Sequence, residues 1–262
     1  MTRKLETVVE GLAFGESPRW RDGALYFSDV HANRVGRLFP DGRHEFLTTF
    51  DGPVSGIGWL PDGRMLVVSM WDKKILRREP DDSFVTHADI SSLATGHAND
   101  MIVRDDGVAF VGNFGFSLYP PEDPRPAVLA RIDPNGSISV ADEETYFPNG
   151  MVITPDGKTL ILGESGGACL TAFDLAADGT LSNRREWAQF PMGAVPDGIC
   201  LDAEGSFGQR RRIPQKCCAS AKAERSSSAF GQGSWQRHAC WAARTARPCT
   251  SAPPTALTRP SA

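Results

Sequence analysis

FPNGMVITPDGKTLILGES, residues 147–165, carries the pattern that decides the fold. An amide residue, Asn149, stands eight positions before a turn glycine, Gly157, and an apolar run, TLILGES (159–165), follows that glycine. The same arrangement recurs on both sides. Asp-Gly or Glu-Gly turns end at Gly23, Gly63, Gly107, Gly157 and Gly205, at separations of 40, 44, 50 and 48 residues. ALYFSDV (24–30), RMLVVSM (64–70) and VAFVGNF (108–114) follow the first three. These runs are β-rich and apolar enough to read as buried inner strands. Secondary turns at Pro40-Asp41-Gly42, Pro134-Asn135-Gly136 and Asp178-Gly179, flanked by VGRLF, VLARI and LTAFDL, read as outer hairpins. No segment of this body has helical periodicity. A repeat of about 40–50 residues holding several short strands is the signature of a β-propeller, so the expected class is all-β.

A polar position travels with the repeat. Glu16 lies seven residues before Gly23, and Ser55, Asn99, Asn149 and Asp197 lie eight before the later glycines. Equivalent positions of propeller blades surround one axis, so Glu16, Asn99, Asn149 and Asp197 should point oxygen atoms into one small space. Glu16, Asn149 and Asp197 would offer two charges and one neutral oxygen, hard donors suited to calcium, magnesium or manganese, with zinc also accepted by carboxylates. Asn or Asp before Gly is otherwise an ordinary turn residue, as PNG (148–150) and PDG (196–198) could each be. Recurrence in one slot favours function. His97 and Asp100 flank Asn99 and are expected at the same mouth. His31, His44 and His87 fall on outer hairpins and are expected in solvent; Trp20, Trp59 and Trp71 are expected to pack the blades. Glu164, Ser165 and Ser117 lie within reach of the channel. The chain has no G-x-S-x-G elbow, phosphate loop or Cys-x-x-Cys pair, which argues against serine nucleophile chemistry.

The 262 residues suffice for one propeller, and no run of 18 apolar residues or signal-peptide core is present, so a cytoplasmic location without a membrane partner is expected. Two of the six cysteines, Cys169 and Cys200, are isolated and the others crowd the last quarter, which does not argue for a disulfide framework. The net charge of −4 hides an acidic body and a basic tail: ten of the 28 Lys/Arg but only one of the 32 acids fall in residues 206–262. Such a tail usually reads as a nucleic-acid arm, yet out-of-frame translation explains it better. Back-translation from the third base of the Ala239 codon gives Leu at the Cys240-Trp241 junction and Gly at the Trp241-Ala242 junction. The neighbouring codons permit MLGGPDG, a further Asp-Gly turn on the repeat spacing. The same phase permits Leu-Trp after DAEG (202–205). The expected organisation is therefore propeller blades over 1–205 and an aberrant, disordered basic segment over 206–262, with a sixth blade hidden in another frame. No nucleic-acid partner is expected.

Over roughly residues 7–205 the chain resembles the regucalcin/gluconolactonase family of six-bladed propellers. The resemblance rests on GESPRW (15–20) with LYFSD after it, HANDMIVRDDGVAFVGN (97–113), FPNGMVITPDGKTL (147–160) and VPDGICLDAEG (195–205). It implies a six-bladed propeller, incomplete here at about four to five blades. It implies one divalent cation, calcium first, on Glu16, Asn149 and Asp197. It also implies Asp197 as base for water attack on a lactone, and Asn99, with Asp100 beside it, against the substrate. His97 stands where animal-type gluconolactonases carry Arg, and GNFGFSL (112–118), with Ser117, lacks their loop Glu, so a more apolar lactone or ester than a sugar lactone enters consideration. Three readings follow: a metal-dependent lactone hydrolase, a non-catalytic binding propeller tied by its metal, or an inactive truncated product.

Overall fold

The computed structural model describes residues 7–117, 120–191, 193–201 and, for the backbone alone, 207–212. Four antiparallel four-stranded sheets follow one another along the chain. The first holds β1 (Gly15–Arg21), β2 (Ala24–Asp29), β3 (Arg34–Leu38) and β4 (His44–Thr49), with a 3-10 turn, Val30–Ala32, between β2 and β3. The second holds β5 (Val54–Trp59), β6 (Met65–Ser69), β7 (Lys74–Arg78) and β8 (Phe84–Asp89). The third holds β9 (Ala98–Val103), β10 (Ala109–Asn113), β11 (Ala127–Ile132) and β12 (Ile138–Thr145). The fourth holds β13 (Pro148–Ile153), β14 (Thr159–Glu164), β15 (Cys169–Leu175) and β16 (Leu181–Gln189). A fifth sheet pairs β17 (Val195–Leu201) with β18 (Phe207–Arg212). Each sheet is a blade of consecutive strands, as the repeat requires.

The first strands β1, β5, β9, β13 and β17 pack against one another in that order and surround the axis. This corrects one expectation. The apolar runs read as inner strands are the second strands, β2, β6, β10 and β14. A second strand is covered on both edges by its own sheet and on both faces by neighbouring blades, so β6 and β10 are buried at every residue. The innermost strand borders the channel instead, and can carry polar side chains. Fourth strands face solvent, and β16 is half-exposed or exposed along its whole length.

The cores lie between blades. Tyr26 and Val35 of blade one pack with Ile57 and Val67 of blade two. Leu66 and Ile75 pack with Met101 and Val111, Phe110 and Leu129 with Leu160 and Phe173, and Ile161 and Leu170 with Ile199. Each fully buried Leu, Ile or Phe stabilises the stack by about 1.5–3 kcal/mol. The turns carry their own closure. Asp62 Oδ1 accepts the Arg64 N–H at 3.0 Å, and Asp106, Asp156, Asp41 and Asp178 repeat the bond to the residue two further on. In blade two's outer turn Asp82 itself takes the left-handed conformation, φ 68°, so no glycine marked it in the sequence.

The strand pattern runs on to Arg212, past the boundary expected at residue 205. The proposed out-of-frame segment otherwise lies outside the described residues. Among the described residues no helix is long and apolar enough to cross a membrane.

Candidate active site

Each first strand breaks register with its neighbour near its N-terminal end. Val54 pairs with Ser69 and Ile57 with Val67, so Ser55 and Gly56 together oppose Val68. The same break places Asn99-Asp100, Asn149-Gly150 and Asp197-Gly198 in bulges. A bulge bends its strand and re-aims a side chain, which is how these slot residues turn into the channel. Blade one differs. Its β1–β2 turn is two residues, Asp22-Gly23, between the paired Arg21 and Ala24, and its bulge is Ser17-Pro18. By register the counterpart of Ser55, Asn99, Asn149 and Asp197 is Ser17, held at φ 50°, and Glu16 reaches the cavity from one position earlier.

Glu16, Ser55, Asn99, Asn149 and Asp197 all line one cavity of about 490 Å³ at the bulge end of the first strands, with His97 and Asp100. That volume suits a small molecule. A second cavity, about 560 Å³, opens at the other end of the same strands among Trp20, Trp59, Pro61, Ile102, Ile153 and Leu201. Arg19 borders both. Its Nη2 donates to Asp100 Oδ1 at 2.9 Å and to the Met101 carbonyl at 2.8 Å. Ser17 Oγ, at 3.2 Å, and the Met101 N–H, at 2.8 Å, donate to the same Asp100 oxygen. Asp100 therefore lies at the expected mouth, but its Oδ1 serves to tie blade one to blade three across the axis.

Asn149 Nδ2 donates to Ser165 Oγ at 3.0 Å, and Ser165 Oγ donates to the Pro196 carbonyl at 2.5 Å. With the nitrogen engaged, the amide oxygen is the atom of Asn149 suited to a cation. Ser165 thus reaches the channel. Glu164 does not line it: buried, it accepts the Tyr146 N–H at 2.7 Å, the Thr171 hydroxyl and Arg184 at 3.1 Å. Ser117 does not line the cavity either. Asn99 Nδ2 is the one buried side-chain N or O atom without a hydrogen-bond partner among the described residues. An unpaired buried donor costs about 1–3 kcal/mol, and here a ligand oxygen in the cavity can satisfy it. Among the described residues no three His, Cys, Asp or Glu side chains gather as a metal cluster. The candidate donors are two carboxylates and an amide, an all-oxygen set that fits a hard divalent cation.

The rim was less legible. His97 lies half-buried between Trp71, 6.5 Å away, and Phe114, 5.9 Å away, and burial pushes its pKa below the ordinary value, with Lys73 adding to the shift. Phe114 stacks on Phe147 at 4.3 Å. Trp71, expected in the packing, is 64% exposed at the rim. His31, expected on an outer hairpin, sits in the turn after β2 against Phe14, 5.1 Å away, and lines the same cavity. His87, expected in solvent, is buried on β8. His44 is exposed, as expected. Phe14, Phe114 and Phe147 went unmarked by the repeat; Phe147 had one local signal, its place directly before the Pro148-Asn149-Gly150 slot.

Residues 14–207 match the family described as the SMP-30/Gluconolactonase/LRE-like region. A regucalcin of Xenopus laevis is 27% identical over 217 residues, covering 78% of this chain and 70% of its own. A pentonolactonase of Haloferax volcanii is 26% identical, covering 80% of this chain and 70% of its own. Among solved structures, a gluconolactonase from Xanthomonas campestris superposes with a TM-score of 0.66 at 25% identity, over 78% of this chain and 71% of its own. With this match running from the strand that carries Glu16 to the one that carries Asp197, the chain belongs to the SMP-30/gluconolactonase/LRE-like family of β-propellers.

Proposed function

We propose that this protein hydrolyses lactones with one divalent cation held by Glu16, Asn149 and Asp197. The observation that carries the reading is the meeting of all five first strands' polar residues in one cavity, beside the unpaired Asn99 amide. A bound cation would polarise the lactone carbonyl and lower the pKa of nearby water; calcium is the first choice, with zinc, manganese and magnesium as alternatives. Asp197 takes a proton from the attacking water as its oxygen bonds to the carbonyl carbon. The acyl C–O bond of the ring then breaks, the departing oxygen takes up a proton, and a hydroxy acid leaves. Asn99 Nδ2 donates to a substrate oxygen and so orients the ring. His97 and Asp100 border the bound substrate.

Hydrolysis of lactones by the purified chain, with calcium, zinc or manganese added, is the first test. Asp197→Asn should lower kcat/KM by about 10²–10⁴-fold with an unchanged circular dichroism spectrum. A loss of stability without any activity to lose would instead support a metal that only ties the blades. We further read residues 206–262 as out-of-frame translation of a sixth blade, which bears on whether this chain is competent. Resequencing codons 200–210 tests it: an extra or missing base supports the reading, and the frame confirmed as written overturns it. Activity that appears only in the restored frame would support both proposals.

A further inference from the structure

The cavity is polar at its floor and aromatic on one wall. Trp71, His97, Phe114 and Phe147 form an unbroken row, with successive ring centroids 6.5, 5.9 and 4.3 Å apart. Trp71 follows β6, His97 precedes β9, Phe114 follows β10 and Phe147 precedes β13, so the row curves around the axis over blades two to four. All four rings line the cavity. Trp71 is the most exposed large apolar side chain among the described residues, at 64%, and an exposed aromatic at a cavity rim is an unfilled contact surface. Phe147 is held at φ 51°. A non-glycine residue in that region costs about 1–3 kcal/mol, and such strain gathers at ligand sites. Phe116 makes a tilted ring contact with it, with centroids 6.1 Å apart.

The charges point the same way. Glu16, Asp100 and Asp197 line the cavity, and its one Lys or Arg side chain among the described residues, Arg19, is bonded to Asp100. An anionic substituent on the wall would find no unpaired Lys or Arg side chain among the described lining residues. A hydroxyl buried against the phenylalanine rings would lack the polar partner it needs, whereas an apolar or aryl substituent seated there needs none. We infer that the site selects lactones carrying an uncharged apolar or aryl substituent, seated on the Trp71–His97–Phe114–Phe147 wall, over polyhydroxylated or anionic lactones. The inference rests on the lactonase reading for its ring-opening step, while the wall alone sets ligand preference.

The test compares γ-phenyl-γ-butyrolactone with glucono-1,5-lactone on the full chain with calcium present, by initial rates and by titration calorimetry. The aryl lactone should bind about tenfold tighter or better, and Phe147→Ala should cut that binding about tenfold while changing gluconolactone binding by less than about twofold. Phe147→Leu, which keeps bulk at the site, should recover most of the loss and guards against a folding defect. Aryl binding that depends on Phe147 without hydrolysis would leave this inference standing and sink the hydrolase reading. Turnover that favours gluconolactone, or a Phe147→Ala effect equal on both ligands, would overturn the inference and leave the hydrolase intact. Binding of neither ligand would overturn it as well.

Discussion

The two ends of the axial channel are made by the same five strands and differ in what their polar atoms are for. At the turn end, the cavity is walled by Trp20, Trp59, Pro61 and the ends of the first strands. Its rings hold each other: Trp59 meets Tyr26 edge-on at 5.1 Å, and the Arg21 guanidinium lies 5.0 Å above the Trp59 ring. The turn carboxylates here are spent on closing their own turns, as Asp62 is on the Arg64 N–H. At the bulge end the extra residue of each first strand breaks local pairing and turns a polar side chain toward the axis. Asn99 keeps a buried amide nitrogen with no partner there. The decisive feature is polar groups whose position serves no local turn.

The sharpest way to break this contrast uses two glycines, one in the bulge of β13 and one in the turn that follows it. A Cβ at Gly150, in the bulge, would stand 2.5 Å from the Ile199 nitrogen and 2.7 Å from the Asp197 carbonyl oxygen. Both obstacles are backbone of the next blade and cannot swing aside. Gly157, in the turn, has φ 71° and no atom within 4 Å of its Cβ position among the described residues. Gly150→Ala should cost about 3 kcal/mol in denaturant unfolding and abolish lactone turnover by pushing Asp197 away. Gly157→Ala should cost about 1 kcal/mol, the strain of a left-handed alanine, and leave turnover unchanged. Equal losses of stability and activity at both positions would mean the bulge end is no more specialised than the turn end.

Arg19 stands between the ends and gives a smaller effect. Its side chain is 27% exposed and that of Asp100 is 10% exposed, so the pair is largely withdrawn from water. Removing one partner leaves a charge in poor solvent. Arg19→Met should cost about 2 kcal/mol, the value of a hydrogen-bonded charge left short of a donor. The loss should also reach the site, because Asp100 is the bulge partner of Asn99; kcat should fall in protein that remains folded. Arg19→Lys should restore only part of the stability, since an ammonium lacks the planar fork that reaches Pro18, Asp100 and Met101 together. A fully stable, fully active Arg19→Met would show that the two cavities do not depend on this link.

The sequence made some of this legible and hid the rest for physical reasons. Turn glycines announce themselves because the third residue of these turns must be left-handed, and most side chains resist that. Asp82 hides a turn because an aspartate tolerates the same conformation. The slot residues were visible because a bulge recurs at one place in each repeat. Glu16 was placed one position off the register, since counting from Gly23 cannot reveal that the first hairpin is shorter than the others. Apolar density identified buried strands but misplaced them radially: it reports coverage by neighbours, and second strands are covered most. The aromatic wall left no period to read. Residues 71, 97, 114 and 147 come together only when four loops meet around the axis.

The smallest expected effect concerns acid sensitivity, and it separates the turn side of blade two from the bulge end. His87 Nδ1 lies 3.1 Å from Arg77 Nη1. A guanidinium can only donate, so Nδ1 is the bare nitrogen and protonating it would break the contact. Burial pushes the His87 pKa below its ordinary 6.5, and Arg77 and Arg64 push the same way against Asp62 and Glu79. The unfolded chain therefore binds more protons than the folded one in the window between the depressed folded pKa and 6.5. Stability from this group is whole above 6.5 and is lost as pH falls through 6.5 to the folded value. His87→Gln, which keeps an acceptor for Arg77, should flatten the dependence of Tm on pH on the acid side of about pH 7 and leave the pH profile of turnover unchanged. His97, also held below its ordinary pKa by burial, lies in the wall of the proposed substrate site. An unchanged slope in His87→Gln, with the slope flattened in His97→Gln instead, would move the acid sensitivity to the bulge end and tie stability and ligand binding to one histidine.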